Sequence, residues 1–138
     1  MSRAVKQHQT SAADLAEPRL PDLVVALRRA WAADTSTSSA WRPENAALGQ
    51  CAVTALIVQD LLGGDLIRSK VAQDVSHYWN RLPDGNELDL TRSQFDSFRL
   101  VAPIEVRTRE YVLSFPDTQR RYDILRARTL RMLEEPMP

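Results

Sequence analysis

Leu23, Val24, Leu27 and Trp31 recur at helical spacing behind Pro21, a residue tolerated where the first amides of a helix have no partner, and they predict a helix running to about Ala33. Asp34 to Ala47 loses that period. With Thr35-Ser36-Thr37-Ser38-Ser39 and Pro43 it reads as a loop, with Trp41 as its anchor. The next segment, Gln50 to Leu62, is apolar around almost its whole circumference until Gln59 and Asp60. Such a pattern belongs to a buried central helix, closed by Gly63-Gly64 in a left-handed cap.

The period then shortens. Asp65 to Val71 predicts a strand, and His77 to Leu82 a second one, joined through Pro83-Asp84-Gly85-Asn86 to Glu87-Leu88-Asp89 as a hairpin. In that hairpin His77 and Asp89 lie at the same end, where neighbouring side chains can hydrogen-bond. Leu100 to Arg107 predicts a further strand, and the stretch to Phe115 matches no single period. Asp117 is placed to cap a final helix reaching about Glu134, with Tyr122, Leu125, Thr129, Met132 and Leu133 facing inward. Residues 1–17 are polar and alanine-rich without a period, so they read as a flexible arm ahead of one domain over 18–138. The expected architecture is α+β: a buried central helix packed on a small antiparallel sheet, with a C-terminal helix.

Composition narrows the function classes. The 138 residues are 43% hydrophobic and 26% charged, ordinary for one globular domain. Eighteen basic residues balance eighteen acidic ones, so the overall field selects neither nucleic acid nor an anionic membrane as partner. Arg120, Arg121, Arg126, Arg128 and Arg131 make the last helix basic, but Asp123, Glu134 and Glu135 offset them, and nucleic acid is not expected. No apolar run approaches the ~20 residues that cross a bilayer, and no secretory signal is recognised at the N-terminus. With a single cysteine, a reducing cytoplasm is the expected setting. One cysteine and one histidine outside the arm make no ligand cluster, and Gly63-Gly64 follows a helix where a phosphate loop would open one, so neither metal nor cofactor is expected. Oligomeric state is left open.

What remains is a nucleophile pattern. Cys51 falls in the first turn of the central helix, His77 and Asp89 share the hairpin end, and the three appear in the order thiol, imidazole, carboxylate. A free thiol of pKa about 8.5 is roughly 3% thiolate at pH 7. Bringing that pKa to about 6 takes ~3.4 kcal/mol, against the ~0.3–1 kcal/mol of a helix N-terminus. An imidazolium must supply the difference: His77, oriented and kept cationic by Asp89. The chemistry is acyl transfer through a Cys51 thioester, either hydrolysis or transfer to an amine or alcohol. The oxyanion would meet the Cys51 backbone N–H and a side-chain amide, from Gln50 or Asn45. Trp41, Tyr78 and Trp79 are candidates to line a substrate cleft.

Each residue also has a structural alternative. Cysteine is a common small filler on a buried helix, a strand histidine is more often a hydrogen-bonded core residue, and Asp89 before Leu90-Thr91 could cap a turn from Arg92 to Phe95. A non-catalytic binding module that uses the same cleft for a ligand or protein segment is therefore the alternative function. A thiol redox sensor is a third, although the chain has no resolving cysteine.

Gly49-Gln50-Cys51-Ala52-Val53-Thr54-Ala55-Leu56, Gly63-Gly64, His77-Tyr78-Trp79-Asn80 and Asp89-Leu90-Thr91-Arg92-Ser93-Gln94-Phe95 together resemble the signature of the small bacterial YunG-like proteins. The resemblance is dense from Trp41 to Phe95 and looser over Arg121-Tyr122 to Leu125. More widely, G-x-C on a helix followed by H-x-W and D-x-T on successive strands is similar to the transglutaminase-like and papain-like cysteine enzymes. That similarity implies a papain-like or transglutaminase-like single domain with Cys51 as nucleophile, His77 as base and Asp89 as orienting acid. Asn45 stands six residues before Cys51, where papain-like proteases carry a glutamine in the oxyanion hole. The chain has little sequence for the second substrate lobe of those enzymes, which implies a small-molecule or short acyl or amide substrate.

Overall fold

A computed structural model describes residues 17–71, 75–95 and 98–135. The arm expected over 1–17, with His8, lies outside these residues except for Glu17. The elements in chain order are α1 (Leu20–Ala30), α2 (Cys51–Leu62), β1 (Asp65–Val71), β2 (Val75–Arg81), β3 (Glu87–Leu88), β4 (Glu105–Arg107), α3 (Arg109–Leu113) and α4 (Pro116–Glu134). The strands form one antiparallel sheet in the order β3-β2-β1-β4. The fold is α+β, with α2 against β1 and β2, and α4 against both α1 and α2.

Helix α2 is central because nothing on its surface up to Val58 asks for water. Val53, Leu56, Ile57 and Val58 are wholly buried, and they meet Leu23 and Leu27 of α1, Leu66 of β1 and Leu125 of α4 in one core. Truncating Leu56 or Leu125 to alanine should cost about 2–5 kcal/mol, the transfer energy plus the cavity left behind. The polar end of α2 is used too. Asp60 receives Arg109 at 2.9 Å and Arg126 at 3.6 Å, and accepts the Tyr122 hydroxyl. Burial, reinforced by that carboxylate, pushes the Tyr122 phenol up to about 12, so it stays a neutral donor.

Strand alternation sorts residues between the two faces of the sheet. Leu66 and Tyr78 pack with the helical core, and Asn80 Nδ2 donates to the Ala55 carbonyl of α2 at 3.0 Å. Ile67, Ser69, His77 and Trp79, which are paired Ile67 with Trp79 and Ser69 with His77, occupy the other face. There Ser69 Oγ donates to the Ala102 carbonyl, and Phe95 and Phe98 set their edges against His77.

Four expectations need correction. Helix α1 stops at Ala30, and Ala33–Thr35 forms a separate 3-10 turn in which the Thr35 hydroxyl bonds both the N–H and the carbonyl of Ala32. The final helix is not capped by Asp117: Pro116 takes the first helical position, Phe115 stands at the cap without a side-chain bond, and Asp117 pairs with Arg120 and Arg121 inside the first turn. The last strand is only Glu105–Arg107, with an isolated bridge from Leu100 to Val71, because Pro103 has no N–H for a ladder. Gly63 has φ 80° but ψ −167°, a positive-φ conformation open to glycine that lies outside the left-handed helical region. Gly64 at φ 90° is held to glycine by space as well, since a Cβ there would stand 2.1 Å from the Arg81 carbonyl oxygen. Among the described residues no helix is long and apolar enough to cross a membrane.

Candidate active site

Cys51 is the first residue of α2, half exposed, and the chain before it is tightly fixed. Gly49 has φ 72°, and a Cβ on it would stand 2.3 Å from Ser36 Oγ and 2.8 Å from the Thr37 nitrogen. Its carbonyl accepts the Thr37 N–H at 3.0 Å, and its own N–H donates to Gln94 Oε1 at 3.2 Å. The Gly-Gln-Cys run is therefore a turn in which only glycine lets the 36–38 loop close over the helix start. The first amides of the helix have no intrahelical acceptor, and Cys51 presents its thiol beside them.

His77 and Asp89 meet at one end of the β2–β3 hairpin: the imidazole Nε2 lies 2.7 Å from Asp89 Oδ2. The ring has no exposure to solvent, and Asp89 is mostly buried. Asp89 is held in turn by the Thr91 N–H, at 3.3 Å from Oδ1. Burial alone would drive the ring towards neutrality, but the bond to Asp89, the Cys51 thiol and the negative charge of both groups outweigh it and raise the His77 pKa to about 9. Cys51 is close enough to act on the ring. Nδ1 is buried and has no partner among the described residues.

A cavity of about 330 Å³ opens at Cys51, lined also by Thr37, Arg68, Ser76, Tyr78, Tyr111 and Arg121. Cys51 is thus common to two environments: it lines this cavity and it acts on the buried His77–Asp89 pair. A second depression of about 330 Å³, at Ala26, Leu61, Met132 and Leu133, has neither thiol nor imidazole in its wall. Among the described residues no cluster of three or more His, Cys, Asp or Glu is placed to hold a metal.

The remaining expected site residues fall elsewhere. Gln50 is fully buried, its Nε2 donating to the Ala32 carbonyl at 3.1 Å, while Oε1 has no partner among the described residues. Its amide holds the loop rather than facing the cavity. Asn45 sits in the 3-10 turn Pro43–Asn45 and borders a separate depression with Trp31 and Ser93. Trp41 donates its indole N–H to Ala46 O at 2.8 Å, and Trp79 stacks on His77 at 5.7 Å and donates to Glu87 at 3.0 Å. Neither tryptophan lines the Cys51 cavity. Tyr78 does, and so do Arg68 and Arg121, to which no site role was assigned. Strand alternation was the available signal, since it turns Ser76 and Tyr78 away from His77 and Trp79; Arg68 follows only once the β1–β2 register pairs it with Tyr78.

The YunG protein family matches residues 19–134. The chain belongs to that family. Uncharacterized protein YunG of Bacillus subtilis (strain 168) is 37% identical to this YunG-family chain over 79 residues, 57% of the chain and 61% of that protein. The chain therefore spans about three fifths of the length of that YunG relative. No solved structure matches this member of the YunG family.

Proposed function

We propose that this protein is a cysteine-dependent acyl-transfer enzyme, transglutaminase-like or papain-like in its arrangement, acting on a small acyl or amide substrate in the cytoplasm. The observation that carries it is the position of Cys51, with a cavity on one side and a cationic, carboxylate-bound imidazole on the other. Cys51 Sγ attacks the acyl carbon, a C–S bond forms, and the carbonyl electrons collect on oxygen beside the free amides of α2. The bond to the leaving amine or alcohol then breaks as His77 gives it a proton. Nδ1 is the atom for that transfer, because Asp89 occupies Nε2. Water next attacks the thioester, His77 takes its proton, and carboxylic acid and free Cys51 are released. An amine in place of water yields transfer.

The test is a mass measurement after incubation with p-nitrophenyl acetate. An acetyl adduct on Cys51, absent in Cys51→Ala and slower to form in His77→Asn, is the expected result. Acylation no faster than that of free cysteine would remove the enzyme reading. One observation favours the binding module instead: His77 is wholly buried and does not line the Cys51 cavity, an arrangement that also suits a cavity that holds a ligand without reacting. A folded Cys51→Ala protein with full biological activity would select it.

A further inference from the structure

The Cys51 cavity is unusual in its charge. Arg68 and Arg121 both line it and no carboxylate does; the remaining polar side chains in its wall are the hydroxyls of Thr37, Ser76, Tyr78, Tyr111 and Thr118 together with Cys51. Arg121 is 2% exposed, a charge that burial makes expensive unless something compensates it. Its Nε bonds Asp117 at 2.8 Å, Nη2 bonds Thr118 Oγ1 at 3.2 Å and Nη1 reaches the Thr35 carbonyl at 3.4 Å. Those bonds use three of the five donors of a guanidinium. Arg68 gives Nη1 to Glu105 at 3.0 Å and Nη2 to Ser76 at 2.8 Å. Glu105 and Asp117 are both exposed, so water screens them, whereas the guanidiniums are less exposed and line the cavity. Burial also pushes the Tyr78 phenol up against the pull of Arg68, leaving a neutral hydroxyl as a donor in the same wall.

We infer that the acyl group delivered to Cys51 carries a carboxylate of its own, held in this cavity by Arg68 and Arg121. This rests on the acyl-transfer reading for the reacting end and on the cavity's charge for the other. A planar guanidinium matches a carboxylate with two parallel hydrogen bonds, which favours this anion over a merely negative ligand. The cavity volume of about 330 Å³ is at the small end of ligand sites and limits the acyl donor to a few carbons.

The experiment compares kcat/KM for the mono-p-nitrophenyl ester of glutarate with that for p-nitrophenyl valerate, equal in carbon number but ending in methyl. The acidic ester is expected to react at least ~10-fold better, and Arg68→Gln to collapse that ratio towards one, with Arg68→Lys intermediate because it keeps charge and loses the fork. Arg68 is the residue to change because Arg121 also ties the Thr35 turn to α4. Equal turnover of both esters by the intact protein overturns the inference and leaves the acyl-transfer reading standing. If neither ester reacts, that reading fails and protection of Cys51 from iodoacetamide decides the anion site alone. Glutarate should then slow alkylation of the intact protein and not of Arg68→Gln, while glutaramide does neither. Absence of protection by glutarate, or equal protection by inorganic phosphate at the same concentration, overturns the carboxylate assignment.

Discussion

On one face of β2, His77 has lost all contact with water and keeps its proton through Asp89; one residue along, Tyr78 faces a cavity shared with Arg68, Ser76 and Cys51. The dry face keeps its charge because Asp89 sits 2.7 Å away and Cys51 adds to its effect. The wet face carries two guanidiniums whose carboxylate partners, Glu105 and Asp117, are exposed and outside the cavity wall. A single strand thus separates the buried imidazole–carboxylate pair from the groups that line the cavity, and Cys51 is common to both. Damage on the dry side should appear as instability, and damage on the wet side as altered turnover.

The strongest attempt to break that division is Cys51→Ala. Loss of the nucleophile should lower ester turnover on the order of 10⁴-fold or more, while the urea midpoint stays within ~1 kcal/mol because the thiol is half exposed. Turnover that persists moves the chemistry off this residue. Next in size is Asp89→Ala, which leaves a wholly buried imidazole unpaired and should cost about 3–5 kcal/mol in equilibrium denaturation. A cost below ~1 kcal/mol would mean that the ring is not held as a cation.

Varying pH sharpens the same contrast. The folded state raises His77 from 6.5 to about 9, so the folded state holds the proton more tightly than the unfolded chain. The stabilisation is complete below pH 6.5 and is lost as pH climbs through about 9, with a ceiling of about 3 kcal/mol. The denaturation midpoint of the intact protein should therefore fall across that window, and Asp89→Asn should flatten the fall. The smallest effect belongs to the wet side. Tyr78→Phe removes only a hydroxyl from the cavity wall, so turnover should drop by up to ~10-fold with stability unchanged within ~0.5 kcal/mol. A large loss of stability would place that hydroxyl in the packing instead.

Periodicity alone carried α2, β1 and the β2–β3 hairpin, because burial there follows the sequence pattern closely. It failed between Leu100 and Phe115. Val101, Ile104 and Val106 mimic a strand's inner face, yet all three are exposed, and the short helix α3 is capped by Thr108, whose hydroxyl accepts the Tyr111 N–H. The Asp117 cap was misjudged because the Pro116 ahead of it already fixes the helix start one residue earlier. In the candidate site, the meeting of His77 with Asp89 was legible from hairpin spacing. Arg68 and Arg121 were not, because their approach to Cys51 depends on strand register and on how α4 docks, neither of which is written in local composition. Gln50 shows the reverse error: proximity in sequence suggested an oxyanion donor, and the folded chain uses its amide to fasten Ala32.

Gly64 gives the site a distant adjustment. It fixes the C-terminal end of α2 against the Arg81 carbonyl, and Asn80 fastens the same helix midway at Ala55. The twelve residues of α2 are then a rod about 18 Å long with the thiol at its N-terminal tip. Advancing that rod by one residue would carry Cys51 about 1.5 Å along the axis and swing it by ~100°, out of line with the imidazole. Any substitution that loosens the Gly64 seat is therefore a change in aim made at the opposite end of the helix from the thiol.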